Sequence, residues 1–355
     1  MGPMNASPLR VGLIGYGLAG SAFHAPLIAA SRDLTLHTVV TSRPERARQA
    51  REDHPGVRTV ADADAFFADT GALDLVVVAT PNRTHVALAE RALRAGLPVV
   101  VDKPLAATAS EAESLAALAE ERGLLLSVFH NRRWDADFRT LRAVLDRGDL
   151  GTVHRFESRF ERWRPKPKGG WRESGDPADV GGLLYDLGSH VVDQALALFG
   201  PAATVYAESD VLRPGAEADD DTFIAILHTG GVRSHLWVSA LAAQHGPRLR
   251  VLGDRAAFVT HGLDPQEDAL RAGERPGGPE WGVEPPSAWG TLGTVAEAAP
   301  VPSLPGDYPA YYAAVAEALR SGGQPPVTAL EAADTLRVLE AARHSAARRV
   351  TVTLA

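Results

Sequence analysis

Asp186 and His190 stand four residues apart in the segment Tyr185-Asp186-Leu187-Gly188-Ser189-His190-Val191-Val192-Asp193. On a helix that spacing puts a carboxylate and an imidazole on one face, with Asp193 continuing the stripe and Leu187, Val191 and Val192 turned to the core. A carboxylate beside an imidazole is a general-base arrangement, because the acid orients the ring and sets its pKa near neutrality. The same spacing also describes an ordinary exposed i,i+4 pair, or two ligands of a metal, although no third ligand has helpful spacing. Lys103 lies in Asp102-Lys103-Pro104, directly after the apolar run 99–101. At the carboxyl end of a strand in a doubly wound sheet it would reach a reacting carbon; elsewhere it would be one more solvated lysine.

A second group of residues points to a nucleotide. Gly15-Tyr16-Gly17-Leu18-Ala19-Gly20 is a G-x-G-x-x-G sequence that follows an apolar strand and opens a helical segment near Ser21. In that context Gly15 permits a tight turn, Gly17 lets the backbone approach a pyrophosphate, and Gly20 lets helix and strand pack closely. The helix N-terminus then offers free N–H groups to the phosphates. Where a carboxylate would bind the ribose 2′-OH of NAD, the chain has Thr41-Ser42-Arg43 and no acid before Glu45. A hydroxyl and a guanidinium suit a 2′-phosphate, which favours NADP over NAD. Ser42-x-x-Glu45 is equally a capping box ahead of Pro44, and both readings can hold together.

The elements that must position these residues follow from periodicity. Apolar runs of strand length occur at 9–14, 34–41, 73–79, 98–101 and 124–129, separated by alanine-rich helical segments at 84–95 and 108–122. Thr108 and Glu111 form a capping box at the second of these. Nearly continuous Val/Leu strands alternating with helices predict a parallel sheet buried on both faces, the doubly wound Rossmann arrangement. After residue 130 the pattern changes. A helix is expected over 135–147, a strand over 153–163, an exposed loop rich in Pro, Lys and Gly over 162–170, and a helix over 181–199. Strands follow at 203–211, 222–228, 232–240, 248–252 and 256–260, with His228-Thr229-Gly230-Gly231 as a hairpin turn. Short turns between consecutive strands predict an antiparallel sheet. Residues 264–305 read as a long ordered loop or an edge cover, and two helices, 308–320 and 329–347, close the chain. The expected division is 1–130 for nucleotide binding and 131–355 for a second domain that supplies the substrate site.

Composition sets outer bounds. A chain of 355 residues with 45% hydrophobic and 23% charged residues has room for two globular domains. The net charge of −8 argues against a nucleic-acid surface, and the lack of cysteine removes disulfides, thiolate nucleophiles and Cys-based metal sites. Met1 to Pro8 show no export signal, and no apolar run is long enough for a membrane span. A soluble, cytoplasmic protein without a metal is expected.

These motifs together resemble the Gfo/Idh/MocA oxidoreductases over essentially the whole chain, which implies an N-terminal Rossmann domain and, over 131–355, an α+β domain for substrate binding and oligomerisation with a large open, mostly antiparallel sheet. The resemblance rests on the glycine sequence, Ala79-Thr80-Pro81-Asn82 with His85, Asp102-Lys103-Pro104, Asn131-Arg132-Arg133-Trp134-Asp135, and Asp186-Leu187-Gly188-Ser189-His190. The family usually has Glu-Lys-Pro; the aspartate here keeps the charge and the lysine. Phe23-His24-Ala25-Pro26 and 131–135 resemble the branch containing NADP-dependent scyllo-inositol dehydrogenases. The resemblance implies that Lys103 hydrogen-bonds the reacting hydroxyl near the nicotinamide, that His190 takes its proton, and that Asp186 binds substrate and tunes His190. It implies that Thr80, Pro81, Asn82 and His85 border the nicotinamide half of the cofactor. It also implies oxidation of a secondary hydroxyl on a cyclic polyol or sugar, and a homodimer or homotetramer. Asn131, Arg132, Trp134 and Asp135 suit a polyhydroxylated ligand, Trp134 either covering the C–H side of a ring or packing in the core. A non-catalytic NAD(P)- and sugar-binding regulator is the alternative, against which the intact Lys103, Asp186 and His190 set weighs. An aldose or other small carbonyl substrate is a further one.

Overall fold

Valine and leucine runs buried on both faces make the first sheet. Strands β1 (Leu9–Ile14), β2 (Leu34–Val40), β3 (Arg58–Val60), β4 (Leu75–Val78), β5 (Val99–Asp102) and β6 (Leu126–Phe129) form a six-stranded parallel sheet in the order β3-β2-β1-β4-β5-β6. The computed structural model describes residues 7–354, so the absence of an export signal expected at Met1 to Pro8 falls largely outside the described residues. The strand order reverses between β1 and β4, which opens a crevice at their carboxyl ends. Gly15, Thr80, Lys103 and Asn131 all lie at that edge, each just beyond the end of β1, β4, β5 or β6. β3 and the helix Ala63–Phe67 escaped the sequence reading, because three paired residues carry no periodicity of their own. The helix Ala109–Arg122 starts at the Thr108/Glu111 capping box as expected.

The second sheet has nine strands. These are β7 (Val153–Glu161), β8 (Ala202–Asp210), β9 (Asp221–His228), β10 (Arg233–Ser239), β11 (Leu249–Gly253), β12 (Ala257–Thr260), β13 (Gly290–Gly293), β14 (Ala298–Val301) and β15 (Val352–Thr353), in the order β14-β13-β12-β11-β7-β10-β9-β8-β15. All pairs are antiparallel except β7 with β10. The expected hairpin joins β9 to β10 through Gly231, whose φ of +86° suits a residue without Cβ. One face, with Phe156, Phe160, Ile224, Ile226, Leu236 and Val238, is buried against helices. The other exposes a half-buried cluster of Phe223, His235 and Trp237, with the Arg159 guanidinium 4.0 Å above the Trp237 ring.

Two expectations change here. Of the two readings for 264–305 the plain loop gives way and the edge cover is the nearer: the segment contains the helix Gln266–Arg271 and supplies β13 and β14, which extend the sheet at its edge. Its strands are short and its glycines frequent, so pairing to β12 holds it where pattern could not show it. The helix expected over 181–199 is two helices, Leu183–Asp186 and Gly188–Phe199, broken at Leu187. The closing helices Tyr308–Ser321 and Ala329–Arg348 pack back against the first sheet's layer, and Ser127 of β6 donates to the Val327 carbonyl at 2.8 Å.

Candidate active site

The glycine turn is built for close approach. Gly15 has φ +102°, and a Cβ there would stand 2.5 Å from the Ala79 carbonyl oxygen. At Gly20 a Cβ would meet the Gly15 carbonyl at 2.0 Å, so the following helix packs directly on the turn. At Gly17, by contrast, the only atom among the described residues within reach of a Cβ is Nη1 of Arg46, at 3.6 Å. The turn is therefore open where a pyrophosphate would approach, and a guanidinium that pattern reading missed stands over it. Tyr16 does not face this opening. Its ring is buried and its hydroxyl meets Asp53 at 3.3 Å, so only its backbone is available to a ligand. Leu18 and Ala19 line the cleft described below.

Ser42 and Arg43 are exposed after β2. The capping box expected from Ser42 and Glu45 does not form: the helix Pro44–Asp53 begins with Arg43 at its N-cap and no side chain caps it. Pro44 pre-sets the first turn without a hydroxyl's help, so both side chains stay free for a ligand.

Thr80, Pro81, Asn82 and His85 follow β4 and do not line the cleft described below; Thr80 and Asn82 instead face a small cavity beside Lys103 and Asp186. Asn82 donates to the carbonyls of Asp179 and Val180 at 3.2 and 3.4 Å and so ties β4's exit to the loop before the helix Leu183–Asp186. His85 is buried, its ring nitrogens 2.8 Å from the Pro104 oxygen and 2.9 Å from the Thr80 oxygen. It joins the loops after β4 and β5 rather than bordering the cleft.

Lys103 is the centre. Its Nζ donates to the Asp186 carbonyl oxygen at 2.5 Å and to Asp186 Oδ1 at 3.0 Å. Burial alone would raise the Asp186 carboxyl, but the charges of Lys103 and Arg172 reverse this and bring it down to about 2. Asp102 is held similarly. Its Oδ1 accepts from the Lys103 N–H at 2.8 Å and its Oδ2 lies 3.8 Å from His24 Nε2, while His24 Nδ1 is 2.6 Å from the Tyr312 hydroxyl. Against the penalty of burial, His24 and Lys103 bring Asp102 down to about 2.

His190 is nearly buried and lines the same cleft as Lys103 and Asp186. Asp186 is not its partner. The break at Leu187 turns the carboxylate towards Lys103, and His190 packs instead against the His130 ring, 6.5 Å away, and the Phe160 ring, 6.2 Å away. Nδ1 of His190 has no hydrogen-bond partner among the described residues. Burial, reinforced by the positive charges of Lys103 and Arg132, holds its pKa well below the usual imidazole range. Asp193, expected to continue the stripe, accepts from Arg133 at 2.7 and 2.9 Å and lies 3.8 Å from His130.

The segment 131–135 divides. Asn131 and Arg132 line the cleft, Arg132 being held by Asp135 at 3.2 Å and by Glu267. Trp134 and Asp135 do not line it. Trp134 packs edge-on against Tyr311 at 5.3 Å, and Asp135, fully buried, accepts from the Tyr308 hydroxyl at 2.7 Å. For Asp135 the expected contact with substrate gives way to burial, and Trp134 takes the core packing that was the alternative to covering a sugar ring.

The resulting cleft, about 350 Å³, is also lined by side chains from two segments to which spacing assigns no site role. Arg162, Arg164, Lys168 and Arg172 come from the loop after β7, and Glu267 and Arg271 from the helix within 264–305. The density of cations between 162 and 172 was the available signal. Among the described residues no cluster of three or more His, Asp or Glu is placed to hold a metal, and no helix is long and apolar enough to cross a membrane.

Comparison with known proteins agrees with this geometry. Residues 9–130 match the model of the oxidoreductase family's NAD-binding Rossmann fold, and 142–354 that of its C-terminal alpha/beta domain. The chain is 44% identical to the uncharacterized oxidoreductase YdgJ of Escherichia coli K12, over 98% of this chain and 99% of that protein. It is 37% identical to scyllo-inositol 2-dehydrogenase (NADP(+)) IolW of Bacillus subtilis 168, over 99% and 98%. The solved structure of YvaA from Bacillus subtilis superposes with a TM-score of 0.92 at 36% identity, covering 99% of this chain and all of that one.

Proposed function

Since this chain belongs to the Gfo/Idh/MocA oxidoreductase family, we propose that it is an NADP-preferring dehydrogenase acting on a secondary hydroxyl of a cyclic polyol or sugar. One observation carries the reading: Lys103, Asp186 and His190 converge on a cleft whose other end is the open glycine turn. A nicotinamide dinucleotide, when bound, supplies the two-electron acceptor. The residues fit it, since Gly17 leaves room for the pyrophosphate beneath Arg46, and Ser42 and Arg43 offer a hydroxyl and a charge for a 2′-phosphate.

The chain's own groups divide the remaining work. His190 is neutral at ordinary pH because burial disfavours its charge, so it accepts the hydroxyl proton. Lys103 holds the oxygen and stabilises the charge that develops there. Asp186 fixes the ammonium through two contacts and, ionised, keeps it oriented. Thr80, Pro81 and Asn82 would border the nicotinamide half of the cofactor, Thr80 and Asn82 from a small cavity beside Lys103, with His85 joining the loops after β4 and β5. The IolW relative's activity on scyllo-inositol with NADP(+) supports both the substrate class and the cofactor. The aromatic face of β9 and β10 supports pairing with a second copy of the chain through the open sheet.

The test is absorbance at 340 nm with NADP and then NAD against a panel of inositols and aldoses. Reduction of NADP by a panel member, with little from NAD, is expected. Tight binding of NADP without reduction in the presence of any bound polyol would replace the enzyme by a sensor.

A further inference from the structure

The charges lining the cleft do not balance. Four carboxylates face it, and each is already engaged. Asp102 is held by the Lys103 N–H, Asp186 by Lys103, and Glu267 by Arg132 and Arg271. Glu173 is held by Arg213 at 3.0 Å and by the backbone N–H groups of Lys168 and Gly169 at 2.6 and 2.7 Å. Three cations in the same lining, Arg162, Arg164 and Lys168, have no hydrogen-bonded or ion-paired partner for their side chains among the described residues. Arg164 and Lys168 are exposed at the rim, where water serves them. Arg162 is half-buried. Burial, with Arg164 beside it, pulls its pKa down to about 10 against the opposing pull of the Asp186 and Glu267 carboxylates, neither of which hydrogen-bonds it.

Arg162 also stands at a defined end of the cleft. Its guanidinium lies 4.8 Å from the centre of the Phe160 ring, and the His190 ring packs on the same phenylalanine at 6.2 Å. It therefore stands close to His190, in the same cleft as Lys103. A guanidinium whose charge is destabilised and whose donors are unmet accepts a planar or tetrahedral oxyanion through paired, charge-assisted hydrogen bonds.

We propose that the substrate carries an anionic group, a carboxylate or a phosphate, bound by Arg162 with Arg164 and Lys168 at the rim, while its reacting hydroxyl lies against Lys103 and His190. The proposal deepens the dehydrogenase reading above and rests on it for the position of that hydroxyl. It makes the natural substrate an acidic or phosphorylated polyol or sugar rather than a neutral one.

Calorimetric titration of the protein saturated with NADP(+) tests this with matched probes: D-glucuronate against D-glucose, and myo-inositol 1-phosphate against myo-inositol. At least one anion is expected to bind roughly ten- to a hundredfold tighter than its neutral counterpart, which is the size of one or two charge-assisted contacts. Which pair shows the difference tells carboxylate from phosphate. In Arg162→Gln the difference disappears, and in Arg162→Lys part of it returns; Arg164→Gln, at the rim, reduces it and stands in should the Arg162 variants misfold. Equal binding within both pairs, no binding of either anion, or an anion preference untouched in Arg162→Gln would overturn the proposal. A loss of NADP(+) affinity in Arg162→Gln with probe binding unchanged would do so too, by assigning the guanidinium to the cofactor. Absorbance at 340 nm in the same samples reports separately on the dehydrogenase reading: a tightly held anion that never reduces the cofactor sinks that reading and leaves the anion site standing.

Discussion

Lys103 Nζ lies 2.5 Å from the Asp186 carbonyl oxygen and 3.0 Å from its carboxylate, so the acid that spacing pairs with His190 belongs to the lysine instead. The consequence is a division of roles. Asp186 sets the position of a cation, and His190 keeps a neutral ring by burial without a carboxylate to charge it.

Removing the ammonium should therefore cost chemistry and spare the cofactor. Lys103→Ala is expected to lower kcat by roughly 10²–10³-fold, the loss seen when one donor to a developing oxyanion is deleted. Turnover at 340 nm and NADP binding by fluorescence titration check this. A near-normal kcat would remove Lys103 from the mechanism.

The pH profile follows from His190. Its pKa is lowered, so the neutral, proton-accepting form persists as pH falls through about 6.5, the ordinary imidazole value. The acid limb of kcat for alcohol oxidation should lie below that value, and His190→Asn should lose about 10²–10⁴-fold of kcat. The stability sign is the same. A histidine whose folded pKa is below its unfolded one contributes stability that is complete above about 6.5 and lost as pH falls towards the folded value. Circular dichroism across the range separates this unfolding from loss of the base. An acid limb at or above 6.5 would mean that another group accepts the proton.

Cofactor choice depends on charges near the ribose. Arg43→Ala should weaken NADP by about tenfold or more, the size of a charge-assisted contact, while NAD binding changes little. Arg46 stands over Gly17 itself, so Arg46→Ala is expected to weaken both cofactors through the pyrophosphate. Equal losses for both cofactors in Arg43→Ala would end the 2′-phosphate argument.

The buried set around Asp135 should report on folding. Asp135→Ala leaves Arg132 short of a partner and strands the Tyr308 hydroxyl, a change expected to cost about 3–5 kcal/mol of stability. Trp134→Phe should keep the edge-on packing against Tyr311 and leave KM for substrate near that of the parent. A large KM increase with unchanged Tm would return Trp134 to the substrate site.

The open sheet face gives a size prediction. Trp237→Glu, placed between Phe223 and Arg159, should shift the protein to a smaller species in light scattering. A monomeric parent would remove the pairing argument.

The amino-acid order determined the parts of this protein that depend on local rules. Buried parallel strands read as Val/Leu runs because both faces are covered, and the glycine turn was legible because only residues without Cβ tolerate those approaches. The capping box at Thr108 and the hairpin at Gly231 are local chemistry of the same kind. What tertiary structure decided are the pairings between distant segments. Spacing showed that Asp186 and His190 could share a face, but a break at Leu187 and a lysine 83 positions earlier settled where the carboxylate went. Arg162 lies near the end of the strand expected over 153–163 and Glu267 lies in the stretch read as loop or edge cover, and neither spacing shows that the two meet across one cleft. Side-chain partners across the fold are chosen by geometry and by the cost of burying unmatched charge, and neither is written in the spacing of a single segment.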